Sequence, residues 1–397
     1  MKLLHTSDWH LGHNLYSHDR TDEFLDFFDQ LEKIIASEQP DALLVSGDIY
    51  DVTAPSAAVA KMFKDEILRI HDIAPAMTIV ITAGNHDSAT RVDVDRNLWR
   101  VGGIHVIGGV ARNGRDYDFK ENIIPVGDKG YIAAIPFVNT VFMPRPDDGS
   151  RPERRFFFEV AKALEWQNSK GLPTVLMAHL SVENCDRRGH RDNVIGGVES
   201  VPTSCFPESF NYVALGHIHK PQTFADGRIA YSGAPIPISF DEDYPHSVYV
   251  VNVEKGSAPE ITEKTIKPLR ELKLVPPEAL PFKEALKKLK KYPADDDCYI
   301  RFHVGQEGDL PADCTEQAVA ALRDKKARFC TIKKDERPRE GEAAAISHMS
   351  VAEFTETTPA DIARRFFASE NVAPETIEEY ASMLQEIEQE ILNDNNQ

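Results

Sequence analysis

Side chains that bind metal ions recur in this sequence directly after short apolar runs. This happens five times, and the loops concerned contain Asp8, His10, Asp48, Asn85, His179, His217 and His219. In an open α/β sheet, ligands bind beyond the carboxyl ends of the strands. Loops that are far apart along the chain can therefore converge, and the pattern predicts one metal site built from all five.

The types of ligand narrow the choice of metal. Imidazole and carboxylate groups without thiolates suit Mn, Fe or Zn better than Ca or Mg. Asp8 and His10 are two residues apart, so in an extended segment their side chains lie on the same side and can bind one ion. His217 and His219 have the same spacing. Asp48 has two carboxylate oxygens and is the natural bridge between two cations, so the prediction is a two-metal site.

Each of these motifs is weak by itself. A lone histidine is usually a structural or surface residue, and a Gly-Asp or Gly-Asn pair is usually turn chemistry. Five motifs in order, each at the end of a predicted strand, argue against coincidence. The other histidines lack this context and are interpreted as structural or solvent-exposed: His5, His13, His18, His71, His105, His190, His246, His303 and His348.

The elements that position these loops predict an α/β domain over residues 1–260. The predicted strands are Lys2–Thr6, Ala42–Ser46, Thr78–Thr82, Tyr131–Ile135, Thr174–Ala178, Tyr212–Leu215 and Ser247–Val253. Between them, apolar residues recur at helical spacing. One such stripe is Phe24, Phe27, Phe28, Leu31, Ile34 and Ile35, and another is Val59, Met62, Phe63, Ile67 and Ile70. We interpret both stripes as helix faces that pack in the core.

A small α+β domain is predicted over residues 265–335. Its strands are Arg270–Val275, Cys298–Val304 and Ala327–Lys333, and its helices are Phe282–Tyr292 and Ala312–Asp324. The first helix is rich in lysine, and these lysines could contact a phosphate backbone: Lys283, Lys287, Lys288, Lys290 and Lys291. A solvated helix face is the preferred interpretation, because charge runs are usually that.

A linker is predicted over residues 336–349 and C-terminal helices over residues 350–397. The second of these helices carries Tyr380, Met383, Leu384, Ile387 and Ile391 at helical spacing. The segment 350–397 is strongly acidic, with eleven Asp or Glu against two Arg. We interpret the apolar stripe as a surface for a partner's groove in preference to a surface that docks on its own chain.

Composition sets broader limits. The chain has 397 residues, of which 42% are hydrophobic and 27% charged, and this length suits more than one domain. No secretory signal and no membrane-spanning apolar run is visible, so a cytoplasmic, nucleoid-associated protein is expected. Five widely spaced cysteines without a CxxC pair favour reduced thiols. A net charge of −19 argues at first against nucleic acid, but bound divalent cations would supply local positive charge.

The ordered motifs D-x-H, G-D-x-x-D, G-N-H-D, a lone H and G-H-x-H resemble the signature of calcineurin-like metallophosphoesterases over about residues 1–240. Residues 5–12, which read HTSDWHLG, are similar to one branch of that superfamily, the SbcD nuclease subunits of bacterial SbcC–SbcD complexes. Segments 193–199 and 231–237 resemble the same branch. The resemblance implies a β-sandwich flanked by helices, followed by a small capping domain and C-terminal helices.

The resemblance also implies a set of roles. One metal would be held by Asp8, His10, Asp48 and His219, and the other by Asp48, Asn85, His179 and His217. Two Mn²⁺ ions are expected, with Mg²⁺, Fe or Zn as alternatives. His86 would be the catalytic residue that positions the phosphate or helps to protonate the departing oxygen, with Asp48 as the shared ligand. Asp87 is interpreted as a helix N-cap in preference to an orienter of His86.

The implied function is a manganese-dependent nuclease with double-strand exonuclease and hairpin or single-strand endonuclease activity, acting in DNA repair and recombination. The implied partners are DNA ends and hairpins, and an SbcC-type coiled-coil ATPase bound by the C-terminal helices. A homodimer within a heterotetramer would form through helices near Ser56–Ile73 and Val92–Arg100. Two alternatives stay open. One is a phosphatase or small-molecule phosphodiesterase that uses the same site, and the other is a non-catalytic scaffold.

Overall fold

The structure is a computed structural model that describes residues 1–113, 116–139, 143, 149, 151–189, 200–305, 308–335, 360, 361, 364, 367 and 374–394. The side chains of residues 113 and 385–394 are outside this description. The segment 193–199 and the predicted linker 336–349 also lie outside the described residues, as do the side chains of Ile387 and Ile391.

The described elements alternate between short strands and helices. The strands are β1 Lys2–Thr6, β2 Ala42–Ser46, β3 Thr78–Thr82, β4 Ile104–Ile107, β5 Ala111–Asn113, β6 Asp116–Asp118, β7 Ile123–Val126, β8 Gly130–Ala134, β9 Thr174–His179, β10 Tyr212–Gly216, β11 Gln222–Phe224, β12 Ile229–Tyr231, β13 Ser247–Asn252, β14 Glu260–Thr265, β15 Glu271–Leu280, β16 Cys298–Gly305 and β17 Arg328–Asp335. The helices are α1 Thr21–Glu38, α2 Ala57–Ile73, α3 Ala89–Asp93, α4 Arg96–Val101, α5 Pro152–Gln167, α6 Phe282–Lys290, α7 Cys314–Leu322 and α8 Pro374–Asp394.

Two six-stranded sheets form the first unit. The strand order is β14-β13-β1-β2-β3-β4 in one sheet and β11-β12-β10-β9-β8-β7 in the other. Strands β1 to β4 are parallel, as are β8, β9, β10 and β12. Strands β13 and β7 pair antiparallel at the flanks. The carboxyl ends of the central strands of each sheet therefore meet at one edge.

Alternating side chains of these strands build three apolar layers. Leu3 and Leu44 belong to a core cluster that contains residues of both sheets. Their neighbours Leu4 and Leu43 point the other way and pack with the apolar faces of α1 and α2. A third cluster places Phe156 of α5 on the outer face of the second sheet. The period of two along each strand sets this division, and the layers confirm the predicted sandwich flanked by helices.

The predicted strands agree with the observed ones to within a residue or two in the first unit. Several strands were missed, including β4, β7, β11, β12 and β14, because most are short and lie towards the edges of the sheets. The predicted helix near Val92–Arg100 is wrong in its continuity. The chain there forms two short helices, α3 and α4, with Asp95 between them.

A second unit follows β14. Strands β15, β16 and β17 form a parallel sheet that packs with α6 and α7 around a separate apolar cluster. The five lysines of the basic stretch of α6 and the residue after it are exposed, as expected for a solvated face. Buried charges join this unit to the first. Arg270 contacts Asp22, and the Tyr299 hydroxyl donates to Glu23 at 2.5 Å.

The terminal helix α8 uses one of its faces within its own chain. Ile377 and Ala381 are buried, and the ring of Tyr380 stacks on that of Phe367 at 5.4 Å between centroids. Tyr380 and Met383 are nevertheless 48% and 54% exposed. The buried residues Ile377 and Ala381 lie outside the predicted stripe, whose members Tyr380 and Met383 are exposed, so the preference for a partner groove stays a prediction.

Two further features concern the whole described chain. Each of the five cysteines is a free thiol. Among the described residues, no helix combines the length and apolar character that crossing a membrane requires.

We predict that Glu23→Ala destabilises the protein by about 3–5 kcal/mol, because it leaves the buried Arg20 without its carboxylate partner. Arg20 donates to Glu23 through Nε at 3.1 Å and Nη2 at 2.6 Å, and both side chains are almost fully buried. The free energy of unfolding from urea titration measures the effect. The control is Lys61→Ala, which removes an exposed ion pair with Asp65 worth less than about 1 kcal/mol. Equal losses for the two variants would contradict the prediction.

Candidate metal centre

The predicted ligands lie at the carboxyl ends of adjacent parallel strands. Asp8 and Asp48 follow β1 and β2 by two residues, and Asn85 follows β3 by three. In the second sheet, His179 is the last residue of β9 and His217 comes directly after β10. Because the two sheets pack face to face, these five ends form one concave edge.

The structure brings all seven predicted residues together. One group contains Asp8, His10 and His219, and another contains Asp48, His179 and His217. Within each group, the ligand-type atoms lie within 4.8 Å of one another. The amide oxygen of Asn85 lies 2.9 Å from His179 Nε2 and 2.9 Å from His217 Nδ1. Each group contains three of the four ligands that the resemblance implies for one metal, and the assignment of ligands to ions stays a prediction.

Asp48 lies between the two groups. Its Oδ2 is 3.3 Å from His179 Nε2 and 3.7 Å from His10 Nε2. Its other oxygen accepts the backbone N–H of His86 at 2.8 Å. One carboxylate oxygen thus faces a histidine from each group, which is the arrangement that a bridging ligand needs.

Hydrogen bonds orient two of the imidazole rings. His179 donates from Nδ1 to the Ser46 carbonyl at 2.8 Å, which leaves Nε2 to face Asp48 and Asn85. His219 Nδ1 lies 3.1 Å from the buried carboxylate of Glu242. In metal sites, a partner on one ring nitrogen fixes the tautomer and presents the other nitrogen to the ion. Both rings are held in this way.

The carboxylates of the site favour positive charge on the groups around them. Burial by itself would lower the pKa of His10, but Asp51, Asp48 and Asp8 outweigh it and raise the pKa to about 9. Burial is also outweighed at His179, where Asp48 and Asp8 raise the pKa to about 9. Burial opposes ionisation of Asp48, yet His179 and His10 hold its pKa well below the usual range. The carboxylates therefore stabilise cations here.

The residues present fit a bound metal. Both ring nitrogens of His10 are buried, and neither has a hydrogen-bond partner among the described residues. Nε2 of His10 lies 3.7 Å from Asp48 Oδ2, and Nδ1 lies 3.6 Å from Asp51 Oδ1. A buried, unpaired polar nitrogen is costly in a folded protein, and a divalent cation at this position would satisfy it. The donor set of imidazole, carboxylate and amide oxygens suits transition-metal dications.

Backbone strain is concentrated at the site. Asp8, His10, Asp48 and His217 have positive φ values of 54°, 47°, 50° and 99°. Such conformations cost on the order of 1–3 kcal/mol each for residues other than glycine and cluster at functional sites. Gly84 allows the loops to close, since a Cβ there would collide with the backbone and the carboxylate of Asp48.

Asp87 has neither of the roles predicted for it. Its carboxylate accepts the backbone N–H groups of Gly84, Ile49 and Tyr50 at 2.7, 3.0 and 2.9 Å. Burial and the nearby Asp48 raise its pKa to about 6. Ser88, and not Asp87, precedes helix α3. Asp87 ties the loop after β2 to the loop after β3, and this role needs tertiary contacts that the sequence did not reveal.

His86 is oriented by the backbone carbonyl of Asp51 and not by Asp87. Its Nδ1 donates to the backbone carbonyl of Asp51 at 2.9 Å, and its ring stands at 82° to that of His10 with centroids 4.8 Å apart. A ring nitrogen of His86 lies within 4.8 Å of the ligand atoms of His10 and Asp48. The predicted catalytic residue is therefore adjacent to the predicted ligands.

Two site residues were not assigned by the sequence. Asp51 belongs to the G-D-x-x-D motif, so its spacing from Asp48 was a usable signal for the contact with His10. Glu242 had no such signal. It reaches His219 from the loop before β13, and its other oxygen lies 3.8 Å from His246 Nε2. Only the fold brings it there.

Comparison with known families agrees with this geometry. Residues 1–221 match the calcineurin-like phosphoesterase family, and residues 266–371 match a family described as the type 5 capsule protein repressor C-terminal domain. The first match covers more than half of the chain. The protein is a calcineurin-like phosphoesterase, a class whose fold implies a dimetal site.

Three curated relatives narrow the class, and each is the SbcD component of an SbcCD nuclease. The chain is 34% identical to the Rhodobacter capsulatus protein over 65% of its own length and 68% of that protein. It is 31% identical to the Bacillus subtilis protein, with coverage of 64% and 67% of the two chains. For the Escherichia coli K12 protein, the identity is 28% and the coverage 69% and 71%. Within the phosphoesterases, the chain belongs to the SbcD family.

We predict that Glu242→Gln weakens Mn²⁺ binding by roughly 10- to 100-fold, because the amide holds His219 less firmly than the carboxylate does. Calorimetric titration of the metal-free protein with MnCl₂ measures the affinity. The matched control is Asp243→Asn, which changes the neighbouring, largely exposed carboxylate. The prediction fails if the affinity of Glu242→Gln equals that of the control while both variants melt at the wild-type temperature.

Proposed function

We propose that the protein is a manganese-dependent DNA nuclease that hydrolyses phosphodiester bonds at DNA ends and hairpins. The observation that carries the proposal is the convergence of seven metal-type ligands and His86 at one edge of the sandwich, in a chain of the SbcD family. Manganese is proposed because the donor set mixes imidazoles and carboxylates without thiolates. Asp8, His10, Asp48 and His219 would hold one ion, and Asp48, Asn85, His179 and His217 the other.

Bound divalent ions would supply Lewis-acid activation of water and charge neutralisation on the phosphodiester. The protein's own part in the chemistry centres on His86. The Asp51 carbonyl can only accept a hydrogen bond, so His86 carries a proton on Nδ1. A second proton on Nε2 would form an imidazolium that can bind a phosphate oxygen or protonate the departing oxygen. The Asp51 carbonyl keeps the ring in position for either task.

The extra chain beyond the phosphoesterase fold supports a macromolecular substrate. Arg270, just before β15, forms a buried ion pair with Glu23 of the first unit at 3.5 Å. Arg301 of β16 reaches Asp241 of the first unit at 2.7 Å. Asp241 follows the loop that contains Ile238 and Phe240, which line a groove beside His10 and His219. A single small phosphoester would not require a groove whose wall is braced by a second unit.

We predict that His86→Ala reduces kcat for hairpin DNA by roughly 10²- to 10⁴-fold, as expected for loss of a proton donor. The protein is assayed with MnCl₂, and with EDTA, on hairpin DNA, on blunt duplex DNA and on an aryl phosphodiester. His71→Ala is the control, because His71 lies on α2 outside the ligand groups. Cleavage of the aryl ester without cleavage of DNA, even with the ATPase partner added, would instead assign a small-molecule phosphodiesterase.

We also propose an assembly with a coiled-coil ATPase of the SbcC type and a homodimer. The exposed Tyr380 and Met383 of α8 support the first contact. Helices α2 and α4 support the second, because Leu68, Leu98 and Val101 are exposed there by 50%, 75% and 89%. Large apolar side chains that are grouped on a surface favour burial against another protein.

Light scattering after size exclusion tests both contacts. The full chain should have twice the mass of a 44.5 kDa monomer, and should form a larger complex when the ATPase is added. A chain that ends at Ser347 should remain a dimer and lose the complex. Val101→Asp should give a monomer. Retention of the complex by the shortened chain would exclude the terminal helices as the attachment point, and a monomeric wild type would exclude the dimer.

A further inference from the structure

A groove of about 340 Å³ adjoins the metal centre. His10, His86 and His219 line it on the side of the ligands, and Tyr16 and Phe240 line it on the other side. Its volume lies within the range of roughly 300–1,000 Å³ that is typical of small-molecule sites. A ligand in this groove would lie next to the atoms that react with the phosphodiester.

The far side of the groove is aromatic. The rings of Tyr16 and Phe240 lie 6.2 Å apart between centroids, with 57° between their planes. Tyr16 is 45% exposed, although it is a large aromatic residue in a well-packed region. It also has a φ of 58°, which costs a non-glycine residue on the order of 1 kcal/mol or more. The two-residue turn between Leu15 and His18, which two backbone hydrogen bonds of 3.1 Å close, imposes this conformation and holds the half-exposed ring beside the groove.

The second unit braces this aromatic wall. The guanidinium carbon of Arg301 lies 4.7 Å from the centroid of the Phe240 ring. Arg301 is itself fixed by Asp241 at 2.7 Å and is mostly buried. One face of Phe240 is therefore covered by a cation, and the position of the ring depends on the docking of β16.

We propose that Tyr16 and Phe240 form a stacking subsite for an unpaired nucleobase of the strand being cut, next to the scissile phosphate. This proposal rests on the proposed nuclease function and specifies its substrate. Bases stack on aromatic side chains in a sequence-tolerant manner because every base has a π-face. A base within a duplex has both faces covered by its neighbours, so only an unpaired or frayed nucleotide can use this wall. The subsite thus favours hairpin loops, single strands and frayed ends over internal duplex.

The stacking subsite is tested by measuring cleavage of a single-stranded oligonucleotide. The strand has one cleavable phosphodiester, and its other linkages are phosphorothioates. It is compared with the same strand containing an abasic nucleotide on either side of that bond. The wild type should show a kcat/KM roughly tenfold higher for the strand with its bases, in line with one stacked base. Phe240→Leu, which keeps an apolar side chain, and Tyr16→Asn, which tolerates positive φ, should bring this ratio close to one. Trp166→Leu, a change of an exposed aromatic residue at the end of α5, should keep the wild-type ratio.

A binding measurement distinguishes failure of the stacking subsite from failure of the proposed nuclease function. An oligonucleotide with 2-aminopurine at the affected position should lose fluorescence on binding the wild type and lose less on binding Phe240→Leu. A wild type that quenches the probe without cleaving DNA would overturn the nuclease function and leave the subsite standing. A cleaving wild type whose base-to-abasic ratio is unchanged in both Tyr16→Asn and Phe240→Leu would overturn the subsite alone.

Discussion

The buried carboxylate of Asp48 is the constraint on which the rest of this structure depends. It is almost completely removed from solvent and lies between a histidine of the first sheet and one of the second. A buried charge is unfavourable unless it is paired and hydrogen-bonded. The partners come from the loops after β1 and β3 and from the end of β9, so the two sheets must pack in one register for Asp48 to be tolerated at all.

This requirement explains several features that are unfavourable locally. Four predicted ligands adopt left-handed backbone conformations, and Gly84 lacks a side chain so that its loop can approach Asp48. Asp87 directs its carboxylate to three backbone N–H groups from two loops. Each feature is unfavourable for the isolated loop, yet together they hold the ligand atoms of each group within 4.8 Å of one another. A site whose side chains are fixed by the surrounding fold favours metal binding, because its ligands keep the productive geometry.

Paired buried charges also hold the second unit against the first. Arg20, Glu23 and Arg270 lie in the interface with little exposure, and the Tyr299 hydroxyl donates to the Glu23 carboxylate. Such networks define one arrangement, since any shift leaves a charge unpaired. A fixed second unit also places Arg301 against Phe240. The shape of the groove beside the metal centre therefore depends on contacts between units as well as on the phosphoesterase fold.

The sequence by itself determined the ligand types, their order and their position after apolar runs, because strand periodicity and metal chemistry are both local properties. From these, the α/β class, most central strands and all seven converging residues could be predicted. The contacts of Glu242, Asp87 and Phe240 could not be predicted from the sequence. Their roles arise from contacts with residues distant in sequence or in other loops, and no local period marks such contacts. Only the tertiary structure decided them, because it is the packing of the two sheets and the second unit that sets which distant side chains meet.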